Sequence, residues 1–258
     1  MKIALLLTGQ LRTFDMLKYL HMNSIIKKYD TDVFLGIDVD NTLQCEYKNS
    51  TNKTDKTIVE KAIDFFIPKD YFVLEEFNNK NKSFELLFRQ YYVVHNLYKL
   101  VINYMEKTET KYDIIIRLRF DQFLFNEKQN LEKELLMNIN NEIIYSEDNI
   151  KRMENYSKKN IIMFEKEIMD NSIYLLGFGD FKHYKYANDQ FCYHNSTILY
   201  TICNFYHEIS NLMEYCEKNK IGNDGALIET IFYLYLTKNK INLKKSEICG
   251  IFVREKTN

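Results

Sequence analysis

The sequence contains no tryptophan, one proline (Pro68) and only seven glycines among its 258 residues. Flexible linkers between domains are rich in glycine, serine and proline, and no such stretch interrupts this chain. With 46% hydrophobic residues, the chain is apolar enough to bury a substantial core. We therefore expect a single domain over residues 1–258.

An excess of charge of either sign is also absent. The 35 lysines and arginines nearly balance the 36 aspartates and glutamates, which leaves a net charge of -1. Nucleic-acid-binding proteins usually present a strongly basic face, so we expect no nucleic-acid partner. A local basic cleft for a phosphorylated small molecule is compatible with this balance.

Metal-type cysteine spacing and long apolar runs are missing as well. The five cysteines are widely spaced and form no C-x-x-C pair, so we interpret them as reduced thiols. The first apolar run ends at Leu7, too early for a signal peptide, and no run approaches the roughly 18 apolar residues of a membrane span. We expect a cytoplasmic protein without a transmembrane segment, at most peripheral at a membrane.

Strand-like runs alternate with helical patterns in the first half of the chain. The continuous apolar runs predict strands at residues 2–7, 32–37 and 71–74. The helical spacings predict helices at residues 13–28, 58–66 and 83–106. Parallel strands joined by such helices form an α/β sheet flanked by helices, in which ligands lie outside the carboxyl ends of the strands.

The stretch KYDIIIRLRFDQFLF, residues 111–125, predicts a buried strand that emerges into a polar site. Alternation at period two would place Arg117, Arg119 and Asp121 on one face. A core cannot hold that much charge unless the face borders a cleft, an ion or an anionic ligand. An ion-paired strand end is the alternative interpretation.

The second half has a less regular pattern. It predicts strands at residues 142–145, 160–163, 172–178 and 247–253. It predicts helices at 197–219 and 226–237, and short helical or irregular pieces at 131–137, 149–159 and 164–169.

Five segments carry a resemblance, and they occur in this order: ALLLTGQLRTF, TDVFLGID, FRQYYVVHNLYKL, KYDIIIRLRFDQFLF and NDQFCYHN. Together they resemble glycosyltransferases of the GT-A fold, a Rossmann-like fold, of the kind encoded in lipopolysaccharide-synthesis clusters and by giant viruses. The resemblance implies transfer of a sugar from a UDP-, GDP- or dTDP-sugar to a glycan or lipid-linked glycan, usually with a divalent cation, Mn or Mg. It also implies a nucleotide-sugar-binding half at residues 1–126 and an acceptor-side half at 127–258.

Thr8, Gly9, Gln10 and Arg12 follow the first strand, where a GT-A enzyme receives the nucleoside. Gly9 would let the backbone approach a ligand, and Gln10 or Arg12 would bond a base or phosphate. The alternative is a turn glycine followed by an arginine at a helix start.

Two further residues are candidate donor contacts. Asp38 follows the second strand and would contact ribose or base, although Asp38-Val-Asp40 follows the wrong strand for the metal pair of a GT-A enzyme. Gln90 lies in the helix before the main strand. It is either a donor-site hydrogen bonder or a polar residue at the edge of a helical stripe.

Asp121 is the candidate ligand of the divalent cation. A nucleotide diphosphate leaving group concentrates negative charge, which a hard cation or arginines can neutralise. Because Arg119 occupies the first position of the D-x-D spacing, Asp121, the diphosphate and waters would have to hold the ion. Metal-independent catalysis with Arg119 taking the charge is the alternative, and Arg117 either binds the donor or braces the strand.

Asp189 and Glu229 are the candidate catalytic residues. Asp189 lies in the aromatic-rich segment 183–195 and would deprotonate the acceptor hydroxyl if the reaction inverts configuration. Helix capping is the alternative for Asp189. Glu229, on an otherwise apolar helix, is the second candidate base, and a solvent-facing glutamate is its alternative.

Two other classes fit the same pattern. A non-catalytic nucleotide-sugar- or glycan-binding module would keep the sheet without turnover. A sugar nucleotidyltransferase usually opens with a glycine-rich, basic phosphate loop, whereas residues 8–12 supply one glycine and one arginine.

Overall fold

The computed structural model describes residues 1–39, 54–77, 84–126, 142–144, 147–165, 167–181, 184–221 and 227–254. The strands are β1 (Lys2–Gly9), β2 (Asp30–Asp38), β3 (Asp70–Leu74), β4 (Ile114–Arg119), β5 (Gln122–Asn126), β6 (Glu142–Ile144), β7 (Ser172–Leu175), β8 (Phe178–Phe181), β9 (Tyr184–Ala187), β10 (Cys192–His194), β11 (Asn242–Lys245) and β12 (Ile248–Arg254). The helices are α1 (Phe14–His21), α2 (Lys56–Phe66), α3 (Glu85–Thr108), α4 (Glu147–Lys159), α5 (Leu199–Lys218) and α6 (Leu227–Lys238). A π-helical turn, Met22–Ile26, continues α1.

Seven strands form the central sheet, in the order β11-β7-β10-β4-β1-β2-β3. The pairs β1/β2, β1/β4, β2/β3 and β7/β11 are parallel. β10 runs antiparallel to both of its neighbours. Because the sheet takes strands from both halves of the chain, the protein is a single α/β domain with a mostly parallel sheet and flanking helices, as the sequence predicts.

The order of the sheet reverses at β1. The chain first builds outward through β2 and β3, and then α3 carries it back to β4 on the other side of β1. The helices on the two sides of this reversal pack on opposite faces: Phe14 and Val59 belong to one core, and Tyr91 and Leu97 to the other. Such a switch point opens a crevice at the carboxyl ends of β1 and β4, where α/β proteins bind ligands.

Close packing of α3 on β2 depends on Gly36. A Cβ atom at this position would lie 2.9 Å from Val93 Cγ1 and 3.1 Å from Leu97 Cδ2, closer than ordinary contact. Val93 and Leu97 follow Arg89 at four-residue spacing, so the three side chains form one row along the helix. This row fixes α3 against β2 and brings Arg89 to the end of that strand.

Two smaller sheets complete the fold. The first has the order β5-β12-β6, with β12 antiparallel to β5 and parallel to β6. The second consists of the antiparallel pair β8 and β9.

The main strand of the sequence analysis is in fact two strands. β4 ends at Arg119, residues 120 and 121 form a turn, and β5 joins the three-stranded sheet instead of extending the central one. The prediction that Asp121 shares a strand face with Arg117 and Arg119 is therefore wrong. Neither glycine nor proline marks the break, which arises because β5 pairs with the distant β12.

Other differences are smaller. The helix predicted over 13–28 is α-helical only to His21, and the predicted strand at 160–163 is irregular. The run 172–178 ends as a strand at Leu175, and β11 was not predicted. The piece predicted at 131–137 lies outside the described residues.

Within the part of the chain that the structure describes, no helix is both long and apolar enough to cross a membrane. The four cysteines described are free thiols: Cys192, Cys203, Cys216 and Cys249.

Candidate functional site

Polar residues gather at the carboxyl ends of β1, β2 and β4. Thr8 lies beside Arg119 in the parallel register, and its carbonyl oxygen accepts from the Phe120 N–H at 3.1 Å. Gly9 follows with a φ of 110°, a conformation that favours glycine. We term the following set the carboxyl-edge group: Thr8, Gly9, Gln10, Arg12, Asp38, Arg119 and Asp121.

Arg119 and Asp121 form a bidentate ion pair across the β4–β5 turn. Arg119 Nε donates to Asp121 Oδ1 and Nη2 donates to Oδ2, both at 2.8 Å. The guanidinium also lies 5.3 Å from the centre of the Phe252 ring. The side chain of Arg119 is 28% exposed and that of Asp121 is 14% exposed, so solvent and a ligand can reach the pair.

Asp38 is held by Arg89, a residue that the sequence analysis did not identify. Arg89 Nε donates to Asp38 Oδ1 at 2.8 Å, and Arg89 Nη2 bonds the same oxygen. Nη2 also lies 3.3 Å from the Leu74 carbonyl oxygen, so the guanidinium ties β2 to β3. The available signal was the position of Arg89 on the helical row of Val93 and Leu97.

The loop after β1 is fixed by a contact with the segment before α2. The Leu11 N–H donates to Thr54 Oγ1 at 2.9 Å, in a buried setting. Thr8 is buried, whereas Gln10 and Arg12 are partly exposed. The loop therefore presents Gln10 and Arg12 from an anchored backbone.

A second set of polar residues lies between α3, β4 and α6, and we term it the buried polar cluster: Gln90, Tyr91, Arg117, Asp189 and Glu229. Asp189 is only 2% exposed. Its Oδ2 accepts from the Tyr91 hydroxyl and lies 3.4 Å from Gln90 Nε2. The local turn bond is made by Asn188, whose Oδ1 accepts from the Gln190 N–H at 3.1 Å, so Asp189 is directed to α3 instead.

The antiparallel direction of β10 explains how Asp189 reaches this position. Cys192 pairs with Arg117, so the residues before Cys192 lie toward the carboxyl end of β4. A parallel strand at this place would direct its preceding loop to the opposite edge. The segment NDQF is thereby brought to the same edge of the sheet as the switch point.

Arg117 is 2% exposed and belongs to the buried polar cluster. Its guanidinium carbon lies 5.4 Å from the centre of the Tyr91 ring. Its Nε and Nη2 have no hydrogen-bond partner among the described residues. Burial, followed by the charge of Asp189, raises the pKa of Tyr91 well above its ordinary value, so the hydroxyl stays protonated and donates to Asp189.

Glu229 lies in the first turn of α6. Its Oε2 is buried and has no hydrogen-bond partner within the described ranges. Burial, and then the negative charge of Asp189, raises the pKa of Glu229 above its ordinary value of 4.5. A carboxyl group whose pKa is raised by burial holds a proton more readily, which suits Glu229 to a part in proton transfer.

The structure thus divides the predicted site residues into two sets. Thr8, Gly9 and Arg119 lie together at the carboxyl edge, whereas Gln90 and Arg117 lie with Asp189 in the buried polar cluster. Among the residues that the structure describes, no group of three or more histidine, cysteine, aspartate or glutamate side chains is arranged to hold a metal ion.

No protein family and no curated protein matches the sequence. Among solved structures, the chain is similar to the apo form of the glycosyltransferase GlyE of Streptococcus pneumoniae TIGR4, with a TM-score of 0.42 and 11% identity over 94% of this chain and 44% of that one. A second GlyE structure gives a TM-score of 0.40 and 11% identity over 94% of this chain and 45% of that one. A glycosyltransferase involved in the glycosylation of the major capsid of PBCV-1 gives 0.39 and 11% over 95% and 81%. The chain spans less than half the length of the GlyE chains.

Proposed function

We propose that the protein is a glycosyltransferase that moves a sugar from a nucleotide-sugar donor to a hydroxyl group of an acceptor. The observation that carries the proposal is the Arg119–Asp121 ion pair beside Thr8 and Gly9, at the switch point of a mostly parallel sheet. Ligands of α/β sheets lie at this place, and a partly exposed guanidinium there suits an anionic ligand.

The donor would lie over the carboxyl-edge group. The planar fork of Arg119 can hold two oxygens of a diphosphate, and the open backbone at Gly9 allows close approach of the nucleotide. Gln10 and Arg12 would bond the base or a phosphate, and Asp38 would bond the ribose or base. UDP-, GDP- and dTDP-sugars all satisfy these requirements.

A divalent cation, Mn or Mg, is the second part of the donor-site proposal. Asp121 accepts both hydrogen bonds from Arg119 through a carboxylate, the type of group that also coordinates hard cations. Such a cation would neutralise the charge of the diphosphate. Without a cation, Arg119 would neutralise the diphosphate, which is the metal-independent alternative considered from the sequence.

The acceptor, a glycan or lipid-linked glycan, would approach from the side of Asp189. In an inverting transfer the acceptor oxygen bonds to the anomeric carbon, and the carbon–oxygen bond to the diphosphate breaks with its electron pair leaving on the phosphate. The acceptor proton would pass to Asp189, which Tyr91 and Gln90 orient. Glu229 is the second candidate for this role, and the cytoplasmic or membrane-peripheral location stays a prediction.

A thermal-shift screen tests the proposal. It uses a panel of UDP-, GDP- and dTDP-sugars, each with and without Mn. We expect one donor class to raise the melting temperature of the wild type but not of Arg119→Met. Lys238→Met is the matched control, because Lys238 also pairs with a carboxylate, that of Glu208, at 3.0 Å. This pair joins α6 to α5 and does not belong to the carboxyl-edge group.

Four outcomes separate the function classes. Donor binding followed by transfer or hydrolysis supports a glycosyltransferase. Binding without either reaction indicates a nucleotide-sugar-binding module. Failure of every donor to bind contradicts the proposal, and formation of a nucleotide sugar from a sugar phosphate indicates a nucleotidyltransferase.

A further inference from the structure

Three hydrogen bonds tether the backbone of Phe120, the first residue of the β4–β5 turn. Its N–H donates to the Thr8 carbonyl oxygen at 3.1 Å. Its carbonyl oxygen lies 3.5 Å from Thr13 Oγ1 and 3.2 Å from His21 Nε2. All three partners belong to β1, to α1 or to the residue that precedes α1.

His21 makes the shorter of the two side-chain bonds to this carbonyl. It is 3% exposed and lies at the last position of α1, where the helix changes to a π-helical turn. Burial lowers the pKa of His21 to about 4, so the ring is neutral near pH 7. Since a carbonyl oxygen only accepts, the hydrogen of the neutral ring must be on Nε2.

The tethered residue lies between the two charged residues of the carboxyl-edge group. The N–H of Phe120 belongs to the peptide group shared with Arg119, and its carbonyl belongs to the peptide group shared with Asp121, so a shift of the Phe120 backbone moves both charged residues. The Phe120 side chain is 1% exposed and anchors the turn in the core, but it does not fix the direction of the carbonyl. The bonds from His21 and Thr13 supply that constraint, and the bond from His21 is the shorter.

We propose that His21 is a positioning residue, which holds the β4–β5 turn so that the side chains of Arg119 and Asp121 are correctly placed to bind the donor diphosphate. The inference rests on the proposed function, because it assigns His21 a role at the same donor site. His21 is too buried to touch the donor itself and acts through Phe120.

His21→Leu, His21→Gln and a matched control, His95→Leu, test the inference. Leucine removes the N–H group that bonds the Phe120 carbonyl oxygen. The amide nitrogen of glutamine occupies about the position of Nε2 and restores this hydrogen bond. His95 is also a buried histidine bonded to a backbone carbonyl, with Nδ1 2.8 Å from the Cys203 oxygen, but it lies between α3 and α5. Two kinds of measurement are made for each variant: the amide hydrogen exchange of residues 117–123, and the steady-state kinetics (KM and kcat) with the nucleotide sugar that the wild type uses.

We expect His21→Leu to speed exchange in this segment about tenfold. We also expect it to raise the donor KM about tenfold or more, because small displacements of positioning groups have large kinetic effects. His21→Gln should restore both values, and His95→Leu should change neither. The acceptor KM should stay near that of the wild type in all three variants.

Unchanged exchange in His21→Leu overturns the tether itself. Faster exchange with an unchanged donor KM overturns the positioning role and leaves His21 as a structural residue. An equal change in His95→Leu overturns the specificity of the effect. If the wild type binds no donor, the proposed function fails and the positioning role fails with it, while hydrogen exchange still decides whether His21 anchors the turn.

Discussion

Arg89 donates two hydrogen bonds to a single oxygen of Asp38 at the carboxyl end of β2. The arginine side chain is 2% exposed and the aspartate side chain 14%, so solvent reaches the pair only from the aspartate side. The positive charge is held in the interior by a residue of α3, and the carboxylate is presented at the edge where the nucleotide would lie. Asp38 is therefore both a part of the fold and a candidate ligand contact.

Removal of Arg89 should destabilise the protein strongly. Arg89→Met leaves the Asp38 carboxylate without its buried cation, and we expect the free energy of unfolding to fall by about 3 kcal/mol. Urea unfolding measures the change. The double variant Arg89→Met/Asp38→Asn should recover part of the lost stability. A double variant no more stable than Arg89→Met would contradict the unpaired Asp38 carboxylate as the cause of the loss.

Arg119→Lys should weaken donor binding although it keeps the charge. Lysine lacks the planar fork that can hold two phosphate oxygens, so we expect donor affinity to fall about tenfold. Calorimetry with the donor identified by thermal shift provides the measurement. An unchanged affinity would return Arg119 to the ion-paired strand end considered from the sequence.

Asp121→Asn should nearly abolish sugar transfer and leave the fold intact. Asparagine keeps one oxygen to accept from Arg119, but it lacks the charge that attracts a hard cation. Turnover should be measured over a range of Mn concentrations, with the melting temperature as the control for folding. Activity close to that of the wild type, with the same dependence on Mn, would refute the assignment of Asp121 to the cation.

Asp189→Asn should separate donor binding from transfer. The amide still accepts from Tyr91 but cannot take a proton, so we expect transfer to fall about a hundredfold or more while donor affinity stays near normal. Tyr91→Phe is the control, because it removes the orienting hydroxyl and retains the carboxylate. The transfer rate should fall less in Tyr91→Phe than in Asp189→Asn. Equal losses of binding and transfer in Asp189→Asn would move the base assignment to Glu229.

Glu229 should make stability depend on pH in a defined direction. Its pKa is raised in the folded state above the ordinary 4.5, so folding favours the protonated form. Its contribution to stability is present below pH 4.5 and is lost as the pH rises through the folded-state pKa. Relative to the wild type, Glu229→Gln should therefore become more stable as the pH rises through this window, and then level off.

Urea unfolding of both proteins between about pH 4 and about pH 8 measures this difference. A difference that stays constant, or that falls as the pH rises, would contradict burial of the Glu229 carboxyl as the cause of its raised pKa.

The regular elements of the first half were accessible from sequence because each one buries a face with its own period. β1, β2 and α3 follow from continuous apolar runs and a helical stripe, and the mostly parallel sheet follows from their alternation. The break after Arg119 was not accessible, since the alternating pattern continues into β5 without glycine or proline. Only pairing with β12 reveals it.

The site was predictable to a similar extent. Residues at strand ends, such as Thr8 and Arg119, could be grouped because the ends of parallel strands share an edge. The buried polar cluster could not, because it depends on the antiparallel direction of β10 and on the side of α3 that carries Tyr91. The roles of Arg89 and His21 could not be predicted for a related reason, since each is a single polar residue on an otherwise apolar helical row.

The central position of β12 in the three-stranded sheet has a consequence for the kinetics of folding. Ile248 pairs with Asn126 and Phe252 pairs with Gln122, so these contacts close a very long loop of chain. Contacts between distant segments form slowly because the entropy of loop closure must be lost first. Until β12 docks, β5 has an unpaired edge that can associate with other chains. The turn that carries Arg119 and Asp121 is therefore expected to acquire its final form late in folding.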